Sequence, residues 1–419
     1  MKRKLFIVLL LCICVGLFFS CAKKETTETV RIRFCSWRTE DVAVYAELID
    51  MFQKQNPGIT VVYEPYRTEE YQTVLATNFS GGTAADVVHL RAYGNFEQFA
   101  RPGYLMPLTE ADIPELKLFS AQSLKGSTSI ADNKVYGIPY ASQSLVIYYN
   151  QEVYNKLGLK IPETWAEFIS NLEACRNANV IPIANGTFAG WAAEVMWGVF
   201  GHNFYGGNSF YDGITAGTTN FQDPRFIRSL DAFQSLLKFM PSGFVALDYV
   251  DSQMMFINDL AAHFFGGIWE AAYFSSQNPS LKFDCFVSPP LNKGDPKHLS
   301  FYMDGSYGIF NNSTRKAEAI KFVRFLASKE VQQILSDRLG VKTEHPEVRF
   351  TNPFIQKVSA PDLVQTPYVF LVGFRYEQPT GSALMQAALQ AIAGGQQNSQ
   401  QAAADIQQGI SIYYAPFKK

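Results

Sequence analysis

Between Val30 and Tyr63 the hydrophobic period of the chain changes twice, and no other stretch constrains the fold as tightly. Val30, Ile32 and Phe34 alternate with Arg31 and Arg33, the two-residue period of a strand with one buried face. Val42, Tyr45, Leu48, Ile49 and Phe52 then recur at helical spacing behind a possible N-cap, Asp41. Asn56-Pro57-Gly58 ends that helix before a second apolar strand, Ile59 to Tyr63. A strand, a helix and a strand in that order form a βαβ unit, so the fold class is α/β with mixed, mostly parallel sheets flanked by helices. In such sheets ligands bind beyond the carboxyl ends of the strands, which makes the residues just after each strand the first candidates for function.

The alternation continues downstream. A helix over about 69–79 stops at Gly81-Gly82, and a short strand, Ala85 to Leu90, follows. Leu145 to Asn150 reads as a strand long enough to join two lobes, which a chain of 419 residues is large enough to build. Thr164 and Glu167 are spaced as a capping box, and Trp165, Phe168, Ile169, Leu172 and Cys175 mark one face of the helix behind it. Further helices are predicted at about 224–240, 314–327, 329–338 and 383–393. Residues 185–220 are rich in Gly, Asn, Thr and aromatic residues, the composition of a long irregular surface.

At the amino end, Lys2, Arg3 and Lys4 precede an apolar run from Leu5 to Phe19, the pattern of an export signal. The run is shorter than the roughly 20 residues a membrane-spanning helix needs. Leu17-Phe18-Phe19-Ser20-Cys21 resembles a bacterial lipobox, although Phe18 stands where the pattern prefers Leu. The resemblance implies a signal over 1–20, acylation of Cys21, a tether over 21–29 and a body held at a membrane by its lipid. With a net charge of −2 before any cleavage, the chain has no cationic excess for a phosphate backbone, and nucleic acid is not an expected partner. Cys35, Cys175 and Cys285 are widely spaced and read as buried thiols rather than as a disulfide framework.

Motifs for cofactor chemistry are missing where the fold would need them. Ser36-Trp37-Arg38-Thr39 follows the first strand where a dinucleotide fold would carry GxGxxG, and no GxxxxGK[ST], HExxH or GxSxG occurs. The histidines (His89, His202, His263, His298, His345) lack metal-ligand spacing. No cofactor and no metal are expected. Asp86, Glu270 and Asp304 lie near strand or loop ends and could serve as a glycosidase pair, or equally as acceptors for sugar hydroxyls.

Taken in order, several stretches resemble the extracellular solute-binding proteins of ABC importers, in the carbohydrate class that includes maltose-binding protein. They are VRIRFCSWRTEDVAVYAELIDMFQKQNPGITVVYE, GGTAADVVHLRAYGNFEQFARPGYLMPL, DNKVYGIPYASQSLVIYYNQEVYNKLGLKIPETWAEF, FFGGIWEAAYF, DCFVSPPLNKG and DGSYGIFNNSTRKAEAIKFVRFLASKEVQQ. The resemblance implies a two-lobed periplasmic-binding-protein fold, type II-like, with the ligand between the lobes. One lobe would hold 30–141 and about 307–338, the other about 145–304 and 343–419, with crossings near 141–144, 304–307 and 339–343. It further implies a monomeric receptor without catalysis, exported and lipid-anchored, in the periplasm or at the cell surface, which closes on a sugar or oligosaccharide and hands it to permease subunits. A polyol, a glycerol-phosphate derivative or a polyamine is the alternative solute, and an exported glycoside hydrolase the alternative class.

Sugar receptors combine flat aromatic platforms for C–H faces with planar polar groups for hydroxyls. Trp37 lies after the first strand and either faces the crevice or packs between lobes. Arg91 and Tyr93 follow the third strand, and Glu64 closes the second. Trp269 and Glu270 follow Gly266-Gly267, where the resemblance implies a tryptophan stacked on sugar. Trp191 and Trp197 fall on different faces of a helix, so one of them, Trp191, is the candidate. Gln143 and Asp304 flank expected crossings and could accept hydroxyls or cap local turns, and Arg375 follows Gly373-Phe374 late in the chain.

Overall fold

The computed structural model describes residues 29–39, 41–68 and 70–418; the predicted signal and Cys21 lie outside them. Nine strands form its sheet: β1 (Val30–Ser36), β2 (Ile59–Pro65), β3 (Val87–Arg91), β4 (Ile138–Asn150), β5 (Ile181–Ile183), β6 (Ala261–Gly267), β7 (Phe283–Phe286), β8 (Lys297–Ile309) and β9 (Leu363–Pro367). β1 runs parallel to β2 from Val30 opposite Ile59 to Ser36 opposite Pro65, and parallel to β3 on its other edge. The helix Val42–Gln55 between them buries Val44, Tyr45, Leu48, Ile49 and Phe52, the residues its spacing singled out.

β4 and β8 tie the molecule together. Residues 138–144 of β4 pair antiparallel with β8, whereas Leu145 to Asn150 pair with β6 and β7. β8 meets β3 at one end and β9 at the other. The strand expected at Leu145 therefore begins at Ile138, and its burial on both faces explains why no alternation betrayed the first half. The pairing is also more antiparallel than the opening pattern suggested, because β4 joins β6, β7 and β8 in that sense.

The apolar side chains sort into two sets, as a two-lobed α/β fold requires. Residues from Ile32 to Ala141 pack with residues from Tyr307 to Val341, beside a smaller cluster running from Cys35 to Phe310. Residues from Leu145 to Phe286 pack with residues from Tyr368 to Ile410, beside a cluster built on β6. A small apolar group, Ala92, Tyr93, Phe301, Met303 and Val372, takes members from both sides. Cys35, Cys175 and Cys285 are buried free thiols, with burial pushing their pKa values up to about 12, 11 and 12.

One segment departs from expectation. Residues 185–220 hold two helices, Gly190–Tyr205 and Gly207–Ala216, where an irregular surface was predicted. The first is buried nearly all round, so it shows no amphipathic stripe. Its Gly198 is needed for close packing: a Cβ there would lie 2.6 Å from the Tyr368 ring and 2.9 Å from Leu145. The predicted helix at 224–240 ends as an α-helix at Leu236 and finishes in a 3₁₀ turn, Leu237–Phe239.

Candidate functional site

A cavity of about 350 Å³ lies where the two sets of cores meet, within the usual size of a small-molecule site. Thr68, Arg91, Ala92 and Asn95 border it from around β3; Trp191, Glu194, Trp269, Tyr368 and Arg375 border it from the other side; Tyr302, Met303 and Asp304 of β8 form its floor. Five of the residues proposed from sequence line this space: Arg91, Trp191, Trp269, Asp304 and Arg375.

Trp269 stands just beyond β6. Gly267 lets its indole fold back over the strand, since a Cβ there would lie 1.8 Å from the ring. The indole Nε1 donates to Glu270 Oε1 at 2.8 Å and lies 3.1 Å from the Tyr249 hydroxyl. Tyr249 also packs against Trp191, ring centroids 4.3 Å apart. Trp191 is 42% exposed at the cavity rim, whereas Trp197 is fully buried and donates to Ser229 Oγ at 3.1 Å. The result is an aromatic wall of two tryptophans, Trp269 held from behind by hydrogen bonds and Trp191 by packing against Tyr249.

The polar groups converge from opposite sides. Asp304 accepts from Gln143 Nε2 through Oδ2 at 3.0 Å. Arg91 stacks on Trp37, its guanidinium carbon 4.7 Å from the ring centroid, and donates to Thr68 O at 3.3 Å. Burial lowers the Arg91 pKa and Arg375 pushes it the same way, against an opposing pull from Asp304. Arg375 Nε donates to Ser382 Oγ at 2.9 Å, and Ser382 donates to Glu194 Oε1 at 2.8 Å. Glu194 Oε2 accepts from Gln386, and its backbone carbonyl accepts from the Tyr368 hydroxyl. Burial raises the Glu194 pKa, partly offset by Arg375.

The other five candidates are not brought to the cavity surface. Trp37 is buried between His89, whose ring stacks on it at 4.0 Å, and Arg91, so it supports a lining residue. Gln143 is buried and orients Asp304. Tyr93 turns the other way, its hydroxyl accepting from Met303 N at 2.9 Å. Glu64 pairs with Arg33 across neighbouring strands, 2.7 Å apart, away from the cavity. Glu270 is fully buried beneath Trp269, where it accepts from Gln253 Nε2 at 2.7 Å. Being next to a strand end places a backbone, not a side chain, and a one-residue step turns the side chain to the opposite face.

Several lining residues escaped sequence reasoning, chiefly Glu194, Tyr302 and Tyr368. Glu194 sits three residues beyond Trp191 on the same helix, the one signal that could have found it. Among the described residues no group of three or more His, Cys, Asp or Glu is placed to hold a metal, and no helix is long and apolar enough to cross a membrane.

The family model of bacterial extracellular solute-binding proteins matches residues 36–333. A multiple sugar-binding protein of Streptococcus mutans is 24% identical over 326 residues, 74% of each chain. An uncharacterized ABC transporter extracellular-binding protein of Pyrococcus horikoshii is 26% identical over 255 residues, and the match spans 59% of each chain. Among solved structures, a chitin oligosaccharide binding protein superposes with a TM-score of 0.77 at 21% identity, covering 91% of this chain and 98% of the other. The solute-binding protein RafE in complex with raffinose gives 0.75 at 20% identity, covering 93% and 100%.

Proposed function

The chain belongs to the family of bacterial extracellular solute-binding proteins, and from that premise we propose that it captures a sugar or oligosaccharide between its lobes and delivers it to the transmembrane subunits of an ABC importer. The observation that carries the sugar reading is the cavity itself, which combines two tryptophan faces with Asp304, Arg91 and Arg375. Aromatic faces match the C–H faces of pyranose rings, and planar charged groups match their hydroxyls. The name of the Streptococcus mutans relative and the raffinose-bound structure point the same way.

Its lobes comprise 30–141 with about 307–338, and about 145–304 with 343–419. They hinge where β4 and β8 run from one set of cores to the other and where Lys342 O accepts from Ser142 N. Arg91 and Asn95 belong to one lobe and Trp191, Trp269 and Arg375 to the other, so a ligand touching both stabilises the closed form. The protein acts as a monomer outside the cytoplasm, held to a membrane by acylated Cys21, and it binds without turnover. A hydrolase using Glu270 is disfavoured because that carboxyl is sealed beneath Trp269.

Thermal unfolding of the chain from Ala22 onward, against mono- and oligosaccharides, polyols and amino acids, tests the reading. A sugar at about 100 times its Kd stabilises the native state by roughly 2.7 kcal/mol. A saturable shift with no product released supports a receptor. A shift only with non-carbohydrate solutes, or release of product, would sink it.

A further inference from the structure

Two arginines face one cavity with their forks unspent. Arg375 is gripped only by its Nε, through Ser382, so both of its Nη groups are without a hydrogen-bond partner among the described residues. Arg91 lies flat on Trp37, and its one side-chain hydrogen bond among the described residues is the 3.3 Å contact to Thr68 O. Neither makes an ion pair among the described residues, and Arg375 is near enough to lower the Arg91 pKa. Asp304 acts on Arg91 and Glu194 on Arg375 through charge alone, and neither carboxylate hydrogen-bonds its arginine, so the guanidinium N–H groups remain open to a ligand.

The acids nearby do not fill that role. Glu194 spends both carboxylate oxygens on Ser382 and Gln386, and acts on Arg375 from behind by fixing the serine that holds Nε. Asp304 is the one reachable carboxylate in the lining, and Gln143 occupies one of its oxygens. What the cavity presents to a ligand is therefore two cationic forks, one acceptor carboxylate and an aromatic wall.

We propose that the ligand is an acidic sugar, one whose pyranose ring carries a carboxylate, with that carboxylate between Arg91 and Arg375. This rests on the sugar-receptor reading above and deepens it. The guanidinium fork matches a carboxylate through two parallel hydrogen bonds. The hydroxyls of the same ring supply donors for Asp304, and its C–H face meets the indoles. A phosphate dianion fits less well, since its second charge would face Asp304 with no third cation among the lining residues.

The test is calorimetric titration of the purified protein with matched pairs: galacturonate and its oligomers against galactose and its oligomers, glucuronate against glucose, with a hexose phosphate alongside. The uronate is expected to bind at least tenfold more tightly than its neutral partner, about 1.4 kcal/mol, and to weaken with added salt. Arg375→Gln brings the pair to parity, and Arg375→Lys, which keeps the charge but not the fork, falls between. Ligand-free melting confirms that each variant folds, and the comparison on the unaltered protein does not depend on either. Equal or tighter binding of the neutral sugar overturns the acidic-sugar inference and leaves the receptor intact. Tighter binding of the hexose phosphate overturns the carboxylate. Silence from every sugar, neutral or acidic, overturns the receptor reading as well.

Discussion

Replacing Glu270 separates two effects that burial usually confounds. Its carboxyl is fully enclosed, accepts from Gln253 Nε2 at 2.7 Å and from Trp269 Nε1 at 2.8 Å, and burial alone pushes its pKa well above the ordinary 4.5. Glu270→Ala strands the Gln253 amide, at a cost of about 1–3 kcal/mol, and removes one buried methylene, at about 0.8 kcal/mol. Trp269 keeps the Tyr249 hydroxyl as an acceptor at 3.1 Å, so its N–H adds little. A loss of about 3 kcal/mol is expected. Glu270→Gln lets the Gln253 amide turn its oxygen toward the new NH₂, and should cost less than about 1 kcal/mol at pH 5.

The pH dependence then decides the matter. A carboxyl with a raised folded-state pKa is fully stabilising below about pH 4.5 and loses that contribution as pH rises through its folded value, by about 1.4 kcal/mol per unit. The gap between the glutamine variant and the native protein should therefore widen in favour of glutamine from pH 5 to pH 8. Urea unfolding followed by tryptophan fluorescence reads it, since Trp165, Trp197 and Trp269 all belong to or pack on the core beside this site. If glutamine costs as much as alanine at both pH values, the carboxylate is ionised and balanced by charge, and the burial argument is wrong.

Three further outcomes follow from the same geometry. Trp269→Ala should weaken the cognate ligand at least tenfold in calorimetry and cost less stability than Trp197→Ala, which, in the core, should cost about 3–5 kcal/mol in denaturant unfolding. Gly267→Ala pushes a Cβ into the Trp269 ring, so it should cost about 1–3 kcal/mol by overpacking and also lower affinity; unchanged binding would mean the indole has room to move. His263 is held neutral, one nitrogen facing Pro182 O and the other the Tyr154 hydroxyl, with burial lowering its pKa to about 4. The unfolded chain takes up that proton near pH 6.5 and the folded one does not, so stability falls by roughly 3 kcal/mol between pH 6.5 and 4. His263→Asn should flatten that part of the acid limb, with the slope from buried His202 left in place.

Local periodicity carries the class of fold and most of its elements. Period-two and helical patterns are local, so the opening strand–helix–strand unit, the helix behind Thr164 and the pair of helices after Lys316 and Lys329 are legible without any tertiary contact. It also put Trp269, Arg91, Asp304 and Arg375 beside breaks in those patterns, where side chains can leave the core, and Trp191 on one face of a helix. What it could not convey is direction. Trp37 and Glu270 stand beside the same breaks, yet one lies beneath Arg91 and the other beneath Trp269, because which side of a turn becomes interior depends on the strand lying across from it. Of the helix Gly190–Tyr205 only the spacing of Trp191 and Trp197 was legible, and its extent was not, because a helix buried nearly all round has no stripe. Tertiary packing, by laying β4 and β8 across two sets of cores, brought Arg91 and Arg375 from distant parts of the chain to the lining of one cavity.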